Sequence, residues 1–181
     1  MSSTSSSEVD RLGSAAQKCD TRVLCLGNDL LGDDSLGSLV AAHVRQFAPV
    51  NVEVLSTPET GFHLLDYTLN VRRLIVVDTV VTGSAPPGTI YEFRDTDLKS
   101  PPGGSPHYVG LYEALAVARH LCLPAAEEVV ILAVEAMNCS TVGEDMHPAV
   151  VAAIPGLIKM VRERMSAGVG AVAPNKKEIA A

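Results

Sequence analysis

The chain contains no tryptophan, and aromatic residues make up only 4% of its 181 positions. It also lacks an excess of positive charge, because 21 acidic residues against 14 basic ones give a formal net charge of −7. Proteins that bind nucleic acids present a basic surface, so this balance argues against a nucleic-acid partner. No apolar run approaches the roughly 20 residues needed to cross a bilayer, so we expect no membrane partner either.

The cysteines show no pattern of pairing or metal binding. Cys19, Cys25, Cys122 and Cys139 are scattered without a CxxC motif. Cys25 and Cys122 fall in apolar patterns and are expected to be buried thiols, whereas Cys139 lies in a polar loop and is expected to be more exposed. The serine-rich N-terminus has no basic segment followed by an apolar one. Scattered cysteines without a pairing pattern predict a reducing, cytoplasmic location.

Apolar residues account for 47% of the chain, and Val, Leu and Ala dominate them. Continuous apolar runs alternate with segments of helical spacing, which predicts a mostly parallel, twisted sheet of about five strands with helices on both faces. This is a three-layer α/β sandwich, formed by one domain over residues 22–166, with a disordered lead at 1–20 and a flexible tail at 167–181. Strands are predicted at 22–27, 51–55, 74–78, 89–94 and 129–134, and helices at 36–47, 57–70, 108–123 and 148–165.

Residues 26–37 carry the strongest functional signal. The stretch Leu-Gly-Asn-Asp-Leu-Leu-Gly-Asp-Asp-Ser-Leu-Gly follows a buried strand and leads into a helix, so its carboxylates lie where open α/β sheets bind ligands. Asp34 in this turn, Asp78 at the tip of the third strand and His107 at a helix start are expected to meet at one sheet edge. Two carboxylates and an imidazole suit a borderline divalent cation such as nickel or zinc.

Simpler interpretations compete with this one. An Asp at a strand end is often only a turn former, a histidine at a helix start is often a cap, and Asp33 is predicted to cap the first helical turn. A second simple interpretation is that the glycine-rich stretch Gly27–Gly37 is a phosphate-binding loop. It lacks the GxGxxG and GK(S/T) patterns, however, and its carboxylates would repel phosphate.

Four segments, in order, resemble the motifs of the maturation endopeptidases of nickel–iron hydrogenases. Residues 26–37 resemble the opening G-N-x-L-x-x-D-(E/D)-x-x-G, and 74–80 resemble an apolar strand that ends in Asp. Residues 105–115 are similar to a histidine that opens a helix, and 146–150 to the start of the closing helix. The resemblance runs from about residue 22 to residue 165. The sequence departs from the family at Asp34, where many members have Glu, and at Glu135-Ala136, where Gln-Pro is frequent.

The resemblance implies a phosphorylase/hydrolase-like fold and a hydrolase that removes the C-terminal extension of a hydrogenase large-subunit precursor once nickel is inserted. The family's metal-contacting residues fall on Asp34, Asp78 and His107, with Gly27, Asn28 and Asp33 in the substrate-binding turn. The nickel is expected to belong to the substrate, and no organic cofactor is implied.

The mechanism and two rival functions stay open at this point. Either a carboxylate pair that shares a proton or a metal ion activates the water, so the protease is aspartic or metal-dependent. A covalent nucleophile is disfavoured because the sequence has no GxSxG motif and no cysteine placed beside a histidine. The rival functions are a non-catalytic nickel-binding maturation chaperone and a generic metal-dependent hydrolase of small substrates.

Overall fold

The structure, a computed structural model, describes residues 20–94 and 106–167, without the side chains of residues 106–109. Five strands form one sheet in the order β2-β1-β3-β5-β4. Their bounds are β1 Thr21–Leu26, β2 Val52–Thr57, β3 Arg73–Val80, β4 Ile90–Arg94 and β5 Glu128–Glu135. The helices are α1 Leu36–Arg45, α2 Leu65–Thr68, α3 Pro106–His120 and α4 Pro148–Ser166.

The sheet is parallel except at one edge. β1 pairs in parallel with β2 and β3, β3 pairs in parallel with β5, and β4 pairs antiparallel with β5. The register sets Cys25 opposite Val77, so the ends of β1 and β3 lie side by side. The predicted mostly parallel α/β sheet and the neighbouring positions of its first and third strands are confirmed.

Both faces of the sheet are covered, which explains why its central strands are continuously apolar. Every residue of β3 is buried. Side chains on one face, such as Val77 and Leu132, pack against α1 and α4. Side chains on the other face, such as Val76 and Ile131, pack in a second cluster with residues of α3. The core is thus two apolar layers, one on each side of the sheet.

The predicted helix at 57–70 is only partly correct, because the helical part is shorter and is not one continuous α-helix. β2 continues to Thr57, and the rest of the segment forms a 3-10 turn, Gly61–Leu64, followed by the single-turn helix α2. Gly61 has a φ of +62°, outside the helical region. α3 also comes so close that a Cβ on Gly110 would lie 2.3 Å from the Gly61 nitrogen. Phe62, which was expected on the buried face of the helix, is 58% exposed.

The burial of one cysteine was also predicted wrongly. Cys25 is buried in β1, as expected, but Cys122 is exposed at the end of α3 with a φ of +54°. The Leu123 amide donates to the Ala118 carbonyl at 2.8 Å, which is the hydrogen bond that closes a helix through a left-handed residue. The apolar pattern around Cys122 therefore marks a helix end rather than a buried face.

Several expectations fall outside the described residues: the lead at 1–19, the loop at 95–105 and the tail at 168–181. Within the described part, no helix combines the length and apolar character needed to cross a membrane.

Candidate active site at the carboxyl edge of the sheet

Two glycines fix the path of the turn that follows β1. A Cβ on Gly27, whose φ is +143°, would lie 2.0 Å from the backbone oxygen of Asp34. A Cβ on Gly37 would lie 2.1 Å from the oxygen of Leu26. Backbone therefore packs directly on backbone, and the 3-10 turn Gly32–Ser35 folds back over the end of β1. This close packing carries Asp33 and Asp34 into the interior.

Asp34 is 5% exposed and is oriented by donors on both carboxylate oxygens. The Asn28 amide donates to Oδ2 at 2.8 Å, and the Thr79 hydroxyl donates to Oδ1 at 2.8 Å. Asn28 thus holds the turn through its backbone, while its side-chain oxygen accepts from the Leu30 amide. The turn and the tip of β3 together set the direction of the Asp34 carboxylate.

Asp78 is fully buried near the carboxyl end of β3, which continues two residues further than predicted, to Val80. The Asp78 Oδ1 accepts the Thr79 amide at 2.8 Å. Side chains alternate along a strand, so Asp78 faces the α3 side of the sheet and Thr79 the α1 and α4 side. Thr79 therefore touches both carboxylates, one through its amide and the other through its hydroxyl. The structure brings Asp34 and Asp78 into one hydrogen-bonded unit.

Asp33 does not cap the first helical turn, contrary to the prediction. Its Oδ2 accepts the amides of Met137 at 2.7 Å and Asn138 at 3.1 Å, and its Oδ1 accepts the His147 amide at 2.6 Å. The carboxylate, 2% exposed, therefore ties the turn after β1 to the loop after β5 and to the residue that caps α4. A short 3-10 turn, instead of a regular helix start, points the side chain across the sheet edge.

His107 lies in the first turn of α3, the helix on the Asp78 face, but its side chain is outside the described part. Among the described side chains, no group of three or more His, Cys, Asp and Glu residues is arranged to hold a metal ion. The three-residue metal site therefore stays a prediction. The other histidines lie outside this group: His43, His63 and His120 are exposed, and His147 caps α4.

Cys139 belongs to this site, although its polar surroundings in the sequence gave no indication of it. Its thiol lies 3.5 Å from the Thr79 hydroxyl oxygen and is half-buried. Burial raises the pKa of Cys139 to about 12; the contact with Thr79 lowers it in part, and the negative charges of Asp34, Asp33 and Asp78 raise it further. Because the thiol stays protonated at neutral pH, Cys139 is a poor nucleophile here.

Glu135 is a second residue that the sequence did not single out as part of the site. Buried at the end of β5, it accepts four hydrogen bonds: from the amides of Thr82 and Gly83 and from the hydroxyls of Thr82 and Tyr91. These bonds order the loop that leaves β3 just beyond Asp78. These four bonds explain why Glu is suited to this position, where Gln is frequent in the family, because only a carboxylate has an acceptor oxygen at both ends of the group.

The fold and the site together define an α/β protein with two buried carboxylates, linked through Thr79, at the carboxyl edge of its sheet. A sequence model of HycI, the hydrogenase maturation proteases, matches residues 38–164, more than half of the chain. The chain therefore belongs to the hydrogenase maturation protease family. The matched region includes Asp78 and His107 and begins just after Asp34.

Individual relatives agree with this assignment. The chain is 34% identical over 101 residues to the hydrogenase 2 maturation protease of Escherichia coli K12 and 32% identical over 106 residues to the hydrogenase expression/formation protein HupD of Bradyrhizobium diazoefficiens. These matches cover 54% and 55% of this chain, and the chain spans 62% and 55% of the two curated relatives. The hydrogenase-maturating endopeptidase HybD of E. coli superposes with a TM-score of 0.71 at 26% identity, over 81% of this chain and 91% of HybD.

Proposed function

We propose that this protein is an endopeptidase that removes the C-terminal extension of a nickel–iron hydrogenase large-subunit precursor after nickel insertion. The observation that carries the proposal is the Asp34–Thr79–Asp78 unit, which holds two buried carboxylates at the sheet edge in a chain of this family. Burying two carboxylates is costly unless a function or a set of donors compensates, and such pairs are typical of active sites.

In this proposal, Asp34 and Asp78 contact the nickel carried by the precursor and position the scissile bond, and His107 completes the contacts. The oxygen and nitrogen donors suit nickel as a borderline cation. The nickel is part of the substrate, so a precursor without it would lack the feature that the carboxylates recognise.

Water attacks the peptide carbonyl directly in the proposed reaction. The protonated Cys139 thiol argues against a thioester intermediate, because the thiolate is the nucleophilic form of cysteine. Water activation then falls either to the carboxylate pair, which can share one proton, or to the nickel of the substrate, which lowers the pKa of bound water. The predicted cytoplasmic location is part of this proposal.

The test compares nickel-loaded with nickel-free precursor, incubated with a substoichiometric amount of the protein and analysed by intact-mass spectrometry. We expect release of a C-terminal peptide from the nickel-loaded form only, and its loss in Asp34→Ala and Asp78→Ala. Asp29→Ala is the matched control, because Asp29 lies exposed in the same turn. Full cleavage by Asp34→Ala, or no release by the unaltered protein, would refute the proposal.

A further inference from the structure

We infer that Thr79 is the residue that positions the two carboxylates relative to each other, and that the Cys139 thiol supports the direction in which the Thr79 hydroxyl donates. The inference rests on the proposed function for its catalytic consequence, although its geometry does not depend on it. Thr79 is buried, donates its amide to Asp78 and donates its hydroxyl to Asp34, so one residue reaches both carboxylates.

The hydroxyl of Thr79 can donate a hydrogen bond to Asp34 in only one orientation. A hydroxyl carries a single hydrogen and two acceptor lone pairs. When the hydrogen points to Asp34 Oδ1, the lone pairs face away from that carboxylate, and the Cys139 sulfur lies on one of them at 3.5 Å. The Cys139 S–H group donates to the Thr79 oxygen, so it is compatible with the hydroxyl orientation that donates to Asp34. Cysteine is only a weak donor and a weak acceptor, so the charged Asp34 oxygen at 2.8 Å is the main determinant of that orientation and the thiol adds to it.

The series of contacts from Cys139 through Thr79 to Asp34 joins three separate elements of the fold. Cys139 lies in the loop after β5, Thr79 in β3, and Asp34 in the turn after β1. The loop itself is held by the amides of Met137 and Asn138 on Asp33, the neighbour of Asp34. A movement of the loop after β5 would therefore change the position of the Asp34 carboxylate in two ways. One is through Asp33, its neighbour in the turn, and the other is through the contact of Cys139 with Thr79.

The variants that separate these roles are Thr79→Val, which keeps the shape and the amide but removes the hydroxyl, and Thr79→Ser, which keeps the hydroxyl. Cys139→Ala removes the thiol donor. Thr21→Val is the matched control, because Thr21 is also buried in a parallel strand but at the opposite end of the sheet. Each variant is measured by kcat and KM on nickel-loaded precursor, by thermal unfolding and by crystallography.

For Thr79→Val we expect a loss of about 10- to 100-fold in kcat, the effect of one hydrogen bond to a charged group, with KM changed by no more than about twofold. Its crystal structure should show the Asp34 carboxylate rotated or in more than one rotamer. Thr79→Ser and Thr21→Val should stay within about threefold of the unaltered kcat, and Cys139→Ala should fall between them and Thr79→Val.

The inference is overturned if Asp34 keeps its orientation in Thr79→Val, or if kcat of that variant stays within about threefold of the unaltered protein. A rise in KM with constant kcat would also overturn it, since that pattern indicates substrate binding instead of positioning. If the unaltered protein cleaves no precursor, the proposed function fails, and the orientation of Asp34 in the crystal structure alone decides the inference.

Discussion

Asp33 provides a strong test of how the site is assembled, because its carboxylate holds three backbone amides from distant parts of the chain. The amides of Met137, Asn138 and His147 bind it at 2.6–3.1 Å, and the residue is 2% exposed. Asp33→Ala would leave these three amides without their acceptor. No other described side chain joins the turn after β1 both to the loop after β5 and to the residue before α4.

The magnitude follows from the number and exposure of those amides. A buried donor that loses its acceptor costs about 1–3 kcal/mol, so three would cost about 3–9 kcal/mol if none were rehydrated. Met137 is exposed and Asn138 half-buried, so water can reach their amides once the side chain is shortened. We therefore expect Asp33→Ala to lower the free energy of unfolding by about 3–5 kcal/mol.

Asp33→Asn refines the test. An amide side chain has one acceptor oxygen, which can stay on Met137 and Asn138, while its NH2 group then faces the His147 amide as a second donor. A loss of about 1–3 kcal/mol is expected, between the unaltered protein and the alanine variant.

The assay is urea unfolding monitored by circular dichroism, with the free energy taken from linear extrapolation. Asp29→Ala is the control, since Asp29 is exposed in the same turn, and its change should stay within about 0.5 kcal/mol. If Asp33→Ala lost less than about 1 kcal/mol, the claim that Asp33 ties the two loops together would be wrong.

Three further predictions concern other parts of the site and the core. Gly27→Ala should lower the free energy of unfolding by more than about 2 kcal/mol, because its Cβ would lie 2.0 Å from the Asp34 backbone oxygen. Gly83→Ala is the control: it has open space around it and should cost only about 1 kcal/mol. Equal losses in the two variants would contradict the prediction. Glu135→Gln should lower the free energy of unfolding by about 1–3 kcal/mol, because its NH2 group would face two groups that now donate hydrogen bonds to the carboxylate. An unchanged midpoint of urea unfolding would contradict the arrangement of four hydrogen bonds. Burial raises the pKa of Cys25 from 9.0 to about 12, so its contribution to stability is complete below pH 9 and is lost as pH rises from 9 towards 12. The difference in unfolding free energy between the unaltered protein and Cys25→Ala should therefore fall by about 1.4 kcal/mol per pH unit in that window, and a pH-independent difference would contradict it.

Local sequence pattern predicted most of the fold. Continuous apolar runs identified the buried strands, and Asp78 was correctly placed near the carboxyl edge of the sheet, although β3 continues to Val80. These predictions succeeded because a strand covered on both faces needs apolar residues at every position. The prediction for residues 57–70 was less accurate because the conformation there depends on the close contact between Gly61 and Gly110 of α3. A contact between distant segments is not visible in any local pattern.

The candidate site divides in the same way. The glycine-rich turn and its two acids were evident from the sequence. The role of Asp34 as a metal contact stays a prediction, and the predicted helix cap at Asp33 was wrong. Asp34 lies where it was expected, whereas Asp33 binds amides more than one hundred residues away in the chain. Cys139 and Thr79 carried no sequence signal, because an isolated Cys or Thr is common in loops and strands. Glu135 stood out only as a departure from the family pattern, which did not reveal the hydrogen bonds that it accepts.

The sequence by itself determined which strands are buried, that the sheet is mostly parallel, and where along the chain the acids gather, since each of these follows from the residues of one segment. Only the tertiary structure decided which donors meet which carboxylate. Asp34, Thr79 and Cys139 come from three segments that the sheet order brings together. Hydrogen bonds act over about 3 Å, so their partners are fixed by the final packing of the strands and loops rather than by the pattern of any one segment.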